Sequence, residues 1–400
     1  MSDRKKPSNS PRNERQRDRG YQLGLLSFIR PFTVLRLAHR LPTTSPRRIP
    51  RTLGITAAGI LGTPLQAYEW LRHGRRRAAQ PLDQPPVFIV GHWRSGTTHL
   101  HNLLSQDPQF GSLRMFQALA PDFSVSTKRW LPSLFERFVP TRRPMDDMEW
   151  PMDAPQEEEI PLAKVTPYSW YLQFLFPRHA VSTFRRSVLF DGAPPRARAE
   201  VKREYDQILR TAALHADGRR LLLKNPVNTA RIPLLLELYP DARFVFIHRS
   251  PYEVFPSTMN LHRKILGLTA LQTVTDDDIE SNVLEIYGHV MRQYLVDRQQ
   301  IPDGRLIEVA YADLDTAPQE TVASIYASLD LDGHDQAAPL VEAYVQSQCG
   351  YRKNSFGALS DRTTELVERH WGFTFDEWKY LRRLDPGAGA GAGAAVDQVA

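Results

Sequence analysis

The chain has 400 residues and a formal net charge of +6, with 51 Lys and Arg against 45 Asp and Glu. That length allows one large or two small domains and a sizeable core, and the basic balance suits a polyanionic ligand. A single cysteine, Cys349, excludes an intrachain disulfide and any multi-cysteine metal site, so a reducing, cytoplasmic compartment fits.

Part of the basic excess lies in residues 1–20, where Arg4, Lys5, Lys6, Arg12, Arg15, Arg17 and Arg19 mark a disordered basic tail. This tail lacks the apolar core of a cleavable signal peptide. It also lacks the interleaved aromatics or the recognisable module of a nucleic-acid binder, so no nucleic-acid partner is expected. Residues 21–80 read as a basic helical segment. Within it, residues 53–71 are weakly apolar and contain Thr, Pro, Gln and Glu, which argues against a membrane span. Arg47, Arg48 and Arg51 on one side and Arg72, Arg75, Arg76 and Arg77 on the other, with Tyr68 and Trp70, suit residues 47–77 lying on an anionic membrane surface. A core helix packed under the domain fits the same residues.

The Pro-rich residues 80–86 mark the start of an α/β domain spanning 81–384. The run Val87, Phe88, Ile89, Val90 predicts a buried strand, and the loop Gly91, His92, Trp93, Arg94, Ser95, Gly96, Thr97, Thr98 leads to a helix over residues 99–105. Strand, glycine-bounded loop and helix form a cradle for an anion: glycine lets backbone approach it, N–H groups point at it, and Ser95, Thr97 and Thr98 add hydroxyls. The nucleotide-hydrolase pattern GxxxxGK[ST] would need Lys at position 97, where this chain has Thr. The cation sits inside the loop, at Arg94.

Residues 107–180 have many Pro, Trp and Tyr and little periodicity, as expected of irregular, short-helical cover over an active site. They include the acidic run Gln156, Glu157, Glu158, Glu159, which is either a solvated face or a source of a general base, since repulsion among carboxylates raises one of their pKa values. A helix is predicted over 198–216, a strand over 221–223 ending in Lys224, a crossover helix over 230–239 and a strand over 242–247. Arg249 follows at that strand's carboxyl end, where open α/β sheets bind ligands, and Ser257 lies about two turns into the next helix. A last strand over 305–309 precedes Tyr311 and Asp313, and helices follow. Residues 385–400 are a low-complexity tail. Repeated strand–helix units predict a three-layer fold, a parallel sheet with flanking helices.

These residues resemble the sulfotransferases that use 3′-phosphoadenosine 5′-phosphosulfate (PAPS), over roughly residues 87–378. In that family a loop carrying [RK]-S-G-T-[ST] holds the 5′-phosphosulfate, matching residues 94–98, with His92 and Trp93 in the same loop. Its 3′-phosphate clamp is an Arg followed eight residues later by a Ser, as with Arg249 and Ser257. Arg352, Lys353 and Asn354 look like the family's late basic loop over the nucleotide, with Asn354 where a glycine usually stands. The resemblance implies a P-loop-like sulfotransferase fold, PAPS as co-substrate, 3′-phosphoadenosine 5′-phosphate (PAP) as product and no metal.

Sulfuryl transfer moves SO3 in line to an acceptor, with charge building on the leaving phosphate's bridging oxygen. Arg94 cannot give up a proton, so its role is charge stabilisation. Similar cytosolic enzymes place a His two residues after the strand-end Lys, and this chain has Pro226 there. The base candidates are therefore Glu157, Glu158 and Glu159, which resemble an acidic element of a bacterial-type branch, with His92, His99 and His101 as rivals. Lys224 either contacts the sulfuryl group or ends its strand with charge. The aromatic cover, Tyr168, Trp170, Tyr171, Phe174 and Phe176, tilts the acceptor toward an apolar, lipid-like or other small-molecule alcohol, with a glycan or a phenol left open. A P-loop phosphotransferase or a non-catalytic scaffold are the competing readings.

Overall fold

The computed structural model describes residues 28–137, 151–348 and 356–383. Helix α1 (Pro31–Arg36) and the 31-residue α2 (Ile49–Ala79) precede strand β1 (Val87–Val90), and α3 (Thr97–Leu104) follows the glycine-bounded loop. Strand β2 (Phe110–Gly111) is followed by short helices that include α4 (Glu159–Val165) and continue to a helix over Ala180–Ser187. Then come α5 (Arg196–His215), β3 (Arg220–Lys224), α6 (Ile232–Leu238), β4 (Arg243–His248), α7 (Pro251–Thr269), α8 (Asp276–Asp297) and β5 (Leu306–Ala310). Helices α9 (Tyr311–Thr316), α10 (Pro318–Ser328), α11 (His334–Ser347) and α12 (Asp361–Trp378) complete the order. The five strands form one sheet in the order β2-β3-β1-β4-β5, an α/β fold flanked by helices.

Two compact units divide the chain. Among the described residues, the first comprises 28–87, 107–137, 151–224 and 263–274. In it β2 pairs in parallel with β3, Phe110 opposite Arg220 and Gly111 opposite Leu221. Helix α5 buries Val201, Tyr205, Ile208, Leu209 and Ala212, the one-faced spacing that docks a helix on a core. Beside it Arg30 holds Asp122 at 2.6 Å and Glu204 at 2.9 Å, an ion network tying the chain before α1 to the cover and to α5. Ile29, Leu37, Leu172, Leu175, Phe176 and Leu271 form a satellite core.

Among the described residues, the second unit comprises 88–106, 225–262, 275–348 and 356–383. Strand β1 is buried along its whole length, as a central parallel strand covered on both faces must be. Strands β4 and β5 pair in parallel from Phe244 opposite Leu306 to His248 opposite Ala310. Phe88 stacks on Phe244 at 5.6 Å, and Phe246 stacks on Tyr294 of α8 at 3.7 Å. Helix α8 starts with a capping box between Thr275 and Asp278, and Asp276, Asp277 and Asp278 place negative charge on its positive end. Helix α3 begins two residues before its predicted start, because Gly96 takes the turn and frees Thr97 to be helical.

Candidate active site

In the second unit the loop after β1 turns sharply enough to need two glycines. Gly91 has φ +141° and Gly96 φ +95°. A Cβ on Gly91 would lie 2.3 Å from the Ile247 carbonyl oxygen, and one on Gly96 would lie 2.3 Å from the ring of Tyr311. Only glycine fits either place. Thr229 clamps the loop's base, its Oγ1 accepting from the Gly91 N–H at 2.7 Å and donating to the Gly91 carbonyl at 3.2 Å. Arg94 itself takes φ +69°, a left-handed conformation costing about 1–2 kcal/mol in a residue with a Cβ. Strain of that kind is tolerated where geometry serves a ligand.

The first intrahelical bond of α3 runs from the Leu100 N–H to the Gly96 carbonyl at 3.0 Å, so the turn after Gly96 directs its N–H groups out of the helix end, where negative charge is favoured. Ser95 and Thr97 are buried in this turn, while Thr98 is half-buried. His92 is buried against Tyr287 at 4.7 Å, and its Nδ1 donates to the Trp93 carbonyl at 2.9 Å. Burial pushes its pKa down to about 3, so the imidazole stays neutral. Trp93 is buried as well and meets the His92 ring edge-on.

The structure brings Arg94, Arg249 and Ser257 together. Ser257, buried on α7, accepts from Arg94 Nε at 2.9 Å. Arg249 donates to the Arg94 carbonyl at 3.4 Å and to Glu253 at 2.6 Å, and its guanidinium lies 4.2 Å above the Tyr311 ring. Its Nε is buried with no hydrogen-bond partner. A buried donor left so is costly unless a ligand satisfies it. Tyr311 therefore fills two roles that the sequence did not reveal: it packs against Gly96 and carries Arg249. Its signal was its position, immediately after β5 at a strand's carboxyl end.

In the first unit Lys224, at the end of β3, meets the acidic run. Its Nζ donates to Glu157 Oε1, and the Tyr171 hydroxyl donates to Glu157 Oε2. Glu158 is completely buried, accepting from Tyr205 Oη at 3.1 Å and from the Lys224 N–H at 3.3 Å. Burial, with the neighbouring Glu157 charge adding to it, outweighs those bonds and the Lys224 charge and pushes its pKa up to about 8. Glu159 Oε1 accepts from Ser169 Oγ at 2.7 Å and from the Trp170 N–H at 2.9 Å, tying α4 to the next turn. The three glutamates thus have three environments, and Glu157 alone is partly exposed.

His101 is buried on α3, and His99 is half-buried. Arg352, Lys353 and Asn354 lie outside the described residues. Among the described residues no group of three or more His, Cys, Asp and Glu could hold a metal ion.

Residues 85–335 match the profile of the sulfotransferase family. The omega-hydroxy-beta-dihydromenaquinone-9 sulfotransferases Stf3 of Mycobacterium bovis and Mycobacterium tuberculosis are each 30% identical to this chain over 340 residues, covering 84% of it and 87% of the relative. The crystal structure of sulfotransferase STF9 from Mycobacterium avium superposes with a TM-score of 0.67 at 21% identity, covering 84% of this chain and 87% of that one. Sulfotransferase STF1 from Mycobacterium tuberculosis gives 0.62 at 19% identity, covering 91% and 93%. The two structures agree on the fold, and the sequence match extends over most of the chain. With an Arg where the loop could carry a family cation and Thr where a phosphotransferase would carry Lys, the chain belongs to the sulfotransferase family and is an enzyme of the sulfuryl-transferring class.

Proposed function

We propose that this sulfotransferase takes its sulfuryl group from PAPS and delivers it to the hydroxyl of a small, lipid-like molecule, releasing PAP. The observation that carries the donor reading is the buried, unpartnered Nε of Arg249 beside a loop whose glycines leave no room for a Cβ. A phosphate oxygen would satisfy that donor through a charge-assisted bond of about 1.5–3 kcal/mol. Arg94, held by Ser257, supplies fixed positive charge for the bridging oxygen as it becomes negative. The acceptor oxygen forms the new S–O bond, the phosphate keeps the electron pair of the broken one, and the hydroxyl proton passes to a base.

Glu157 is the base in this scheme. It is the partly exposed member of the acidic run, whereas Glu158 is fully buried and Glu159 is committed to Ser169 and Trp170. Lys224 and Tyr171 hold the Glu157 carboxylate from two sides, which fixes its direction. Lys224 also carries charge suited to the sulfuryl oxygens. The lipid-like acceptor is supported by the relatives named for an omega-hydroxy menaquinone derivative, and by the aromatic cluster of Trp170, Tyr171 and Phe174 beside Glu157. Incubation with sulfur-labelled PAPS and a panel of prenyl alcohol, sterol, phenol and sugar tests the assignment. Label on the prenyl alcohol is expected. Transfer to the sugar or the phenol alone would overturn the lipid-like acceptor.

A further inference from the structure

Helix α2 packs Ile55 on the satellite core but otherwise turns little apolar side chain inward. Its inward positions include Gly59, where a Cβ would lie 2.2 Å from the Ile29 carbonyl oxygen, and Glu69, whose carboxylate accepts from the N–H groups of Val125 and Ser126 at 3.1 and 2.8 Å. Its outward positions are apolar. Leu53 is 64% exposed, Leu61 77% and Leu71 76%, with Ile49, Ile60 and Tyr68 exposed between and beside them. At 3.6 residues per turn these six project within an arc of about 120° along roughly 30 Å of helix. From residue 52 to residue 71 the only charged side chain is Glu69, and it is buried. Trp70 is 72% exposed on the shoulder of this stripe, and α1, which packs against α2, exposes Phe32 and Leu35.

Charge begins where the stripe stops. Arg47 is exposed just before α2, and Arg72, Arg75 and Arg76 are exposed after Leu71. We propose that the outward face of α2 lies on an anionic lipid bilayer, with the leucines, Tyr68 and Trp70 in the headgroup and acyl boundary and the arginines on lipid phosphates. A second copy of the chain fits this face poorly: antiparallel packing sets Arg47 against the Arg72 group, and parallel packing sets that group against itself. No helix among the described residues is long and apolar enough to cross a membrane, which leaves surface attachment for this one. The inference rests on neither the donor nor the acceptor assignment.

Flotation of the full chain with vesicles of phosphatidylcholine and phosphatidylglycerol, beside phosphatidylcholine alone, is the test. Binding to the anionic vesicles that weakens as salt rises from about 100 to about 500 mM is expected, because lipid charge is screened over shorter distances. Leu53→Ser/Leu61→Ser/Leu71→Ser and Arg72→Gln/Arg75→Gln/Arg76→Gln should each weaken it more than about tenfold. Both variants change exposed positions, so their circular dichroism and melting should match the parent's. Failure of the parent to float with either vesicle overturns the proposal. So does a dimer in solution that the leucine variant turns into a monomer, which would give the face to a second copy.

Discussion

Glu158→Gln separates burial from catalysis in the acidic run. The Glu158 carboxyl is fully buried, with a pKa pushed from the usual 4.5 up to about 8, first by burial and then by the charge of Glu157. Between those values the folded chain holds a proton that the unfolded chain has lost, so this group's contribution to stability is greatest below pH 4.5 and falls as pH rises toward 8. The slope is about 1.4 kcal/mol per pH unit, or about 3 kcal/mol between pH 5 and pH 7. Glutamine copies the shape of the neutral acid, and its Oε1 still accepts from the Lys224 N–H. The variant is expected to match the parent near pH 5 within about 1 kcal/mol and to gain about 3 kcal/mol on it by pH 7. Urea unfolding followed by tryptophan fluorescence at several pH values measures the difference, in which all other titrating groups cancel. A parent-to-variant difference that does not change with pH would refute the reasoning.

Arg249→Ala should weaken PAP binding about 10- to 100-fold, the loss of charge-assisted bonds to phosphate, as read by calorimetry; unchanged affinity would remove the clamp. Glu157→Gln should lower turnover about 10²- to 10⁴-fold while PAP affinity stays within about twofold of the parent's, the split expected of a base that acts on the acceptor. Glu159→Ala leaves Ser169 Oγ and the Trp170 N–H without their carboxylate. It should destabilise the fold by about 1–3 kcal/mol, seen in the urea midpoint, while the folded fraction keeps its turnover.

The strands legible in the sequence are those with continuous apolar runs: β1, β3, β4 and β5 form within about one residue of their predicted limits. Strand β2 was not legible, because Phe110 and Gly111 pair with β3 over only two residues and carry no pattern. The phosphate-type loop could be read because its glycines, Arg94 and hydroxyls are consecutive. The meeting of Arg94 with Ser257 could not be read from the residues alone, since 163 positions separate them. The three glutamates were indistinguishable in sequence for the same reason. Ser169, Tyr171, Tyr205 and Lys224, which give each its environment, lie between 10 and 67 positions away. Helix α2 was ambiguous because, beside Ile55, its inward face uses glycines and a satisfied carboxylate where apolar side chains are the usual signal.

The most direct test of the donor assignment is calorimetric titration of the full chain with PAP, with and without Mg2+, beside ATP. Metal-independent binding of PAP with ATP much weaker is the predicted result, since the proposed Arg249 clamp would take a second phosphate that ATP does not carry on its ribose. Preference for Mg-ATP over PAP would contradict it and require a different donor for this loop.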